Sequence, residues 1–397
     1  MYMSYDSKKI IIAGGGSRGL YFVDMLVNNL RWEVAAIADN YIEGYEAIKY
    51  RLDEFGVPNV PIYGTLDEAL EKTPREVADI VFIMTPEWTH LELFKKAISS
   101  GCHVFLEKPI ATTPEDCKQI YEISKKTDRI VQVGFVLRYS SFFQNIKKII
   151  DSGKLGKIIT IQMNERLALQ HGASFKRLWH RLNKYTGGFM NEKCCHDIDL
   201  MCWLMEKQAY PVELSSYAGI GFSCDKDTPD LCADCKLDNC PWRFKGIDSL
   251  KLVNGKSYTD STSAGIGKCV FHSDSDVYDH QTINILFSDN SQGVFTVISM
   301  SGNVGRDITI HGTDGYLEGS LEDGLLKVRN YWSGETENIG LGHLGAHGGA
   351  DDFIVSEFLQ CIKHGKKPIS TVEDGMKASL IAFAADKSVK EKTKIML

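Results

Sequence analysis

No stretch of this sequence stays apolar for long. The strongest apolar runs, such as Val34–Ala38 and Ile80–Met84, fall far short of the ~20 residues of a membrane span. Nor is there an excess of positive charge. Lys and Arg number 45 against 52 Asp and Glu, a net charge of −7. That balance argues against nucleic acid or an anionic membrane as the main partner. The segment Met1 to Lys9 is polar and has no signal-peptide core, so a cytoplasmic protein is expected. There is no internal repeat and no low-complexity tract. The eleven cysteines are an odd number, and in a reducing compartment they read as thiols, ligands or core residues rather than a disulfide framework. Hydrophobic residues make up 43% and charged residues 24%, which excludes disorder as the dominant state. A chain of 397 residues favours two domains and buries enough surface to need no disulfides.

The first ~135 residues alternate two patterns. Short apolar runs read as buried strands at Ile10–Ala13, Val34–Asp39, Ile80–Met84, His103–Leu106 and Ile130–Val133. Helical spacing lies between them at Arg18–Leu30, Leu66–Lys72, His90–Ser100 and Pro114–Lys125. Strands alternating with helices predict an α/β domain with a doubly wound parallel sheet. After residue ~140 the rhythm changes. Helices are expected at Ser141–Ser152 and Asn191–Met205. Alternating, turn-punctuated segments follow at Gln281–Phe287, Gly293–Ser299, Asp307–His311, Gly315–Leu321 and Leu325–Tyr331. They predict a large, mostly antiparallel sheet. Helices at Asp351–His364 and Val372–Lys390 close the chain.

Gly14, Gly16 and Gly19 form a G-x-G-x-x-G around Ser17 and Arg18. The motif follows a strand of three isoleucines and opens an amphipathic helix, the context that gives it meaning. Gly14 permits the tight turn, Gly16 lets the backbone approach a pyrophosphate, and Gly19 brings helix and strand close. The diphosphate would sit on the helix N-terminus. Asp39 ends the second strand, 20 residues after Gly19, where a carboxylate accepts from the adenosine ribose hydroxyls. Asn40 follows, with no Arg beside it for a 2′-phosphate. NAD is therefore expected over NADP.

Three strand ends carry reactive residues: Thr85-Pro86 with His90 a turn on, Glu107-Lys108-Pro109, and Gly134-Phe135 before Arg138-Tyr139. In a doubly wound sheet, strand ends of this kind face one crevice. Lys108 beside a cofactor cation would lose its proton more easily and could serve a reacting hydroxyl; a solvated Lys–Glu pair is the alternative. A second group follows Gly187-Gly188. Glu192, His196 and Asp199 are spaced i, i+4 and i+7 and should share roughly one helix face. An acid/base pair, a carboxylate–histidine metal face and a salt-bridged surface histidine all satisfy that spacing.

In combination these pieces resemble the Gfo/Idh/MocA family of NAD(P)-dependent oxidoreductases, which act mostly on sugars and cyclitols. The match spans nearly the whole chain. It includes the glycine loop with Asp39, Thr85-Pro86, Glu107-Lys108-Pro109, Arg138-Tyr139, the Gly187 to Asp199 segment, His347-Gly348-Gly349-Ala350-Asp351, and Glu373-Asp374-Gly375 with Ala378, Ala384 and Ala385. The resemblance implies a Rossmann domain over residues 1–137. It implies a substrate and oligomerisation domain over 138–397, with the last helix packed back on the Rossmann domain. It casts Lys108 as the lysine at the reacting hydroxyl and His196 as the acid/base. Glu192 stands where many members have Asp, and Lys193 adds a second ammonium. The Lys108–Pro109 bond is often cis in the family. A homodimer or homotetramer is expected.

Cys224, Cys232, Cys235 and Cys240 lie in one polar loop. A tetrahedral structural zinc would staple such a loop; reduced surface thiols are the alternative. The stretch Arg166–Arg181 holds His171, Lys176, Arg177, Trp179, His180 and Arg181. It reads either as a sugar platform, with Trp179 and His180 at substrate, or as a basic surface loop. His343 and His347 sit among glycines, a possible lid. The leading expectation is oxidation of a small carbohydrate or cyclitol hydroxyl. A redox-neutral hydrolase or lyase that keeps NAD bound, and a non-enzymatic dinucleotide sensor, are the rivals.

Overall fold

The computed structural model describes residues 9–75, 77–222, 228–244, 267–342 and 349–397. Cys224, His343 and His347 lie outside them. The chain divides into two compact units. Among the described residues, the first contains 9–135 and Asp351–Met376, and the second contains the rest.

The first unit is built on β1 (Lys9–Ala13), β2 (Val34–Ala38), β3 (Ile62–Tyr63), β4 (Ala78–Ile83), β5 (His103–Leu106) and β6 (Val131–Val133). Their order is β3-β2-β1-β4-β5-β6, and every pairing is parallel. Direction of winding reverses between β1 and β4, and the crevice outside the strand C-termini at such a switch is where ligands bind. Ile10, Ile11 and Ile12 are each 0% exposed because helices cover both faces. Phe82 and Phe105 stack with ring centroids 4.9 Å apart, and Phe22 joins Phe105 at 5.5 Å.

The helix that completes this core is Asp351–His364, the penultimate one. Phe358 lies 5.7 Å from Phe82 and 5.6 Å from Phe105, centroid to centroid. Gln132 Nε2 donates to the Ile354 carbonyl at 3.0 Å, and Ser370 Oγ donates to the Val133 carbonyl at 2.7 Å. Of the last helix, Val372–Glu391, only the turn through Met376 belongs to this unit. There Gly375 packs against Ile110 and Val133 without room for a side chain.

The second unit holds β7 (Ile158–Ala168), β8 (Pro211–Gly219), β9 (His280–Phe287), β10 (Gln292–Ser301), β11 (Gly305–Gly312), β12 (Gly315–Ser320), β13 (Leu325–Asn330), β14 (Thr336–Gly340) and β15 (Ile395–Met396). They form one sheet, ordered β14-β13-β12-β11-β7-β10-β9-β8-β15. Only the β7–β10 pairing is parallel. β9 alternates buried and open positions, as a sheet with one covered face requires.

The predicted elements form within a residue or two, but others were not foreseen. The helix Tyr45–Glu54 shows only Ile48 and Leu52 to the core. The central strand β7 buries Glu165 among its inward positions, which hides its period. The expected helix Asn191–Met205 is interrupted: Phe189–Glu192 and Cys195–Met205 are separate, joined through Lys193 and Cys194. Arg18–Leu30 is helical but widens to a π turn at Met25–Asn29.

Candidate active site

The first unit brings five strand ends together. Gly14, after β1, has φ +104°, and a Cβ there would lie 2.8 Å from the Met84 carbonyl carbon, past the end of β4. Gly19 packs directly on the Gly14 carbonyl oxygen. Gly16 has no atom within 4 Å of its would-be Cβ. It N-caps the helix Ser17–Asp24 without any side-chain hydrogen bond, and Gly16 and Ser17 are exposed. An uncapped N-terminus with open space over its glycine suits a pyrophosphate. The Asp39 carboxylate accepts from the backbone N–H of Gly15 at 2.6 Å and of Tyr41 at 2.8 Å. Those bonds fix its direction and leave acceptor capacity for ribose hydroxyls. The residues present therefore fit a dinucleotide.

Arg18 does something its motif position does not announce. Its Nε donates to Glu107 Oε1 at 2.7 Å, and its Nη2 lies 2.9 Å from Asp351 Oδ1. It thus ties the glycine-loop helix to the loop after β5 and to Asp351. Glu107 is buried, and its Oε2 accepts from the Lys108 backbone N–H at 3.0 Å. A Cβ on Gly134, after β6, would sit 2.9 Å from that same Oε2. The Lys108–Pro109 peptide is cis. His90 is 1% exposed, with ring nitrogens 3.0 Å from the Pro109 carbonyl oxygen and 2.9 Å from that of Thr85. Burial lowers its pKa. Its ring spans the loops after β4 and β5. Thr85 Oγ1 accepts from Thr89 Oγ1 at 2.7 Å, just before Pro86. Lys108, half-buried, stands between buried Glu107 and the cis Pro109.

In the second unit, Gly187 and Gly188 take φ of +70° and +103°. Gly188 abuts the Asp386 carboxylate, so a side chain would collide. The turn delivers Glu192 and then His196, both buried. Glu192 pairs with His180 Nδ1, and His180 packs on Trp179 at 4.4 Å and on Phe175 at 5.5 Å. The expected Glu192–His196–Asp199 face is divided among partners. Asp199 holds Arg138 bidentately, with Nε donating to Oδ2 at 2.7 Å and Nη2 to Oδ1 at 2.6 Å; the side chains are 2% and 3% exposed. Tyr139 beside it is buried. Lys193 Nζ bonds Glu165 Oε1 at 2.8 Å and is 11% exposed, so its ammonium is taken up inside the unit. Glu165, Asp197 and Arg306 were not foreseen. Asp197 had adjacency to His196 as its one signal, while Glu165 and Arg306 sit on strands that register, not local sequence, brings together.

The described part of the cysteine loop is tied by hydrogen bonds and a small apolar cluster. Among the described residues, no three His, Cys, Asp or Glu side chains converge to hold an ion. Cys232 Sγ lies 3.6 Å from Arg177 Nη2 and 3.8 Å from the Lys268 carbonyl oxygen. Arg177 also donates to the carbonyls of Lys268, at 2.9 Å, and Trp242. Ala173, Val270 and Met300 form a buried cluster beneath Phe222, Trp242 and Phe271. Cys232, Cys235 and Cys240 thus do not converge on an ion, so the expected zinc is not supported; its fourth cysteine, Cys224, lies outside the described residues. Part of the basic stretch is explained at the same time: Lys176 is 2% exposed, 3.1 Å from Asp279, so it and Arg177 are structural ties.

Comparison with known proteins follows the geometry. Residues 8–135 match the model of the oxidoreductase family NAD-binding Rossmann fold, and residues 147–397 match that family's C-terminal alpha/beta domain. A Bacillus subtilis (strain 168) protein named "Putative oxidoreductase YteT" is 23% identical over 395 residues, 91% of this chain and 90% of that one. Inositol 2-dehydrogenase of Salmonella typhimurium (strain LT2) is 30% identical over 138 residues, only 34% of this chain and 38% of its own length. Among solved structures, GenD2 from gentamicin A biosynthesis in complex with NAD aligns with TM-score 0.73 and 17% identity over 100% of this chain and 98% of that one. Myo-inositol 2-dehydrogenase from Lactobacillus plantarum aligns with TM-score 0.72 and 20% identity over 99% and 100%. At these identities the structural likeness is one of fold. With both family models matched in order across the chain, the protein belongs to the Gfo/Idh/MocA oxidoreductase family.

Proposed function

We propose that this oxidoreductase is an NAD-dependent dehydrogenase acting on a hydroxyl of a sugar, sugar derivative or cyclitol. The observation that carries the reading is Lys108, set at a strand end among the loops that form the dinucleotide cradle. NAD, when bound, accepts the hydride from the carbinol carbon. Gly14, Gly16, Ser17 and Gly19 would hold its pyrophosphate, and Asp39 its adenosine ribose. A 2′-phosphate would meet the Asp39 charge instead, which favours NAD over NADP. The role proposed for Lys108 is to hydrogen-bond a reacting hydroxyl, and that for His196 is acid/base. Arg18, Glu107 and His90 position the loops rather than touch substrate. Trp179 and His180 supply a platform for the ring. Arg138 and Asp199, spent on each other, hold the scaffold.

Redox-neutral cleavage of a glycosidic bond is the second reading. It is favoured by the Glu192–His180 contact, a carboxylate–imidazole couple able to move a proton. The deciding experiment incubates purified protein and NAD with free sugars, cyclitols and glycosides. NADH absorbance and bond cleavage are followed separately. Net NADH formation that Lys108→Ala abolishes supports the first reading; cleavage without NADH supports the second. Tighter binding of NADP than of NAD would overturn the cofactor assignment, and Asp39→Ala should erase the preference for NAD.

A further inference from the structure

Four charged side chains meet inside the second unit, around the link between Glu192 and His196. Glu165 is on β7 and Arg306 on β11, paired directly across the sheet. Lys193 lies in the link, and Asp197 follows His196 in the first turn of Cys195–Met205. Glu165 is 2% exposed, Asp197 1% and Arg306 8%. Glu165 Oε1 receives both Lys193 Nζ and Arg306 Nη2, and Asp197 Oδ1 accepts from Arg306 Nε at 3.0 Å.

That leaves Glu165 Oε2 and Asp197 Oδ2. Each is fully buried, and no donor reaches either one. Yet the two carboxyl groups are held side by side, each bonded to the one Arg306 guanidinium, and so close that a hydrogen bond between them is open. Two carboxylates side by side in a dry interior repel, and neither donates. A proton between them turns that repulsion into a charge-assisted O–H···O⁻ bond. We propose that Glu165 and Asp197 share a single proton, and that this acid pair, braced by Lys193 and Arg306, is a positioning device for His196.

The electrostatics run the same way. Burial and the neighbouring Glu165 push the Asp197 acid up to about 7, while Arg306 and Lys193 hold Glu165 well below the usual carboxylate range. The proton therefore rests mainly on Asp197, although the titration belongs to the pair. The other groups facing the cluster are Glu322, whose Oε2 accepts the Arg306 backbone N–H at 2.6 Å, and Cys194. Burial and the two acids keep the Cys194 thiol neutral. The mechanical consequence follows from the bonding. Lys193 nails one end of the helix break to β7, and Asp197 nails the other end to β11 through Arg306. The proton keeps the two anchors attached to each other. His196 rides on the backbone between them, and Glu192 directly precedes the first.

The role for His196 rests on the dehydrogenase reading, but the shared proton is measurable without any substrate. Infrared difference spectra of the full-length protein across pH 5–9 should show the carbonyl band of a protonated carboxylic acid that titrates near neutrality. The buried Asp386 acid titrates nearby, so Asp386→Asn is the background. In that background the band should vanish in both Glu165→Gln and Asp197→Asn, which keep the contact by an amide N–H and should fold. A band that survives both variants, or no such band at all, overturns the proposal. On a substrate of the wild type, kcat should fall on the alkaline side as the shared proton leaves. Asp197→Asn should remove that limb, and Asp197→Ala should lower kcat about 10- to 100-fold with NAD affinity unchanged. An unchanged pH profile in Asp197→Asn refutes the positioning role. Failure to oxidise any sugar or cyclitol refutes the dehydrogenase reading and leaves the infrared result standing on its own.

Discussion

Asp199→Ala is the perturbation that separates scaffold from substrate contact most cleanly. Asp199 and Arg138 form two parallel bonds of 2.6 and 2.7 Å at 2% and 3% side-chain exposure. The guanidinium also lies 5.6 Å from the Trp203 ring centroid. Removing the carboxylate leaves a buried cation without its counter-charge, which costs about 3–5 kcal/mol. In a unit of this size each kcal/mol lowers the melting temperature by roughly 2–4 °C. The expected loss is therefore about 6–20 °C. Removing both charges avoids the orphaned cation, so Arg138→Met with Asp199→Leu should recover most of that loss. The assay is a thermal melt by circular dichroism, with kcat and KM measured on the folded fraction. If the pair is scaffold, the restored double variant keeps a KM near that of wild type. If either side chain binds substrate, KM rises although stability has returned. A single variant melting within about 2 °C of wild type would refute the energetic reasoning.

Gly16→Ala should leave the melting temperature unchanged and weaken NAD at least about tenfold, a loss of about 1.4 kcal/mol by fluorescence titration; Gly14→Ala, in a left-handed conformation against Met84, should instead destabilise the fold. Lys108→Ala and His196→Ala should each lower turnover by about 10²–10⁴-fold with little change in NAD affinity. Asp386, pushed up to about 6 by burial, binds its proton more tightly folded than unfolded. Its contribution to stability is full below its ordinary pKa and lost as pH rises through about 6. Melts of Asp386→Asn between pH 4 and 8 should lack that decline. Sedimentation should find a dimer or tetramer, since Ile159 and Leu325 on the nine-stranded sheet and Trp332 in the turn after β13 are 49%, 54% and 83% exposed; a monomer at micromolar concentration would refute this.

The sequence by itself determined the Rossmann half almost completely. Its strands are continuous apolar runs because both faces are covered, and its glycine loop, Asp39, Thr85 and Lys108 sit at strand ends by chain order alone. The helices Leu66–Lys72 and Asp351–His364 were readable because their apolar positions repeat at helical spacing. What only the tertiary structure decided is who pairs with whom. Glu192 is one helical turn from His196, so spacing suggested a pair, yet the break at Lys193 and Cys194 and the loop around Trp179 give Glu192 to His180. Arg18 looked like a cofactor contact but meets Glu107 and Asp351, which come from 89 and 333 residues further along. β7 was invisible because it carries Glu165 inward among polar neighbours, and the register of β7 against β11 is what places Arg306 on it. Local periodicity records which face of an element is apolar. It carries no information on a buried charge, whose stability depends on partners that strand register and chain crossing bring from elsewhere.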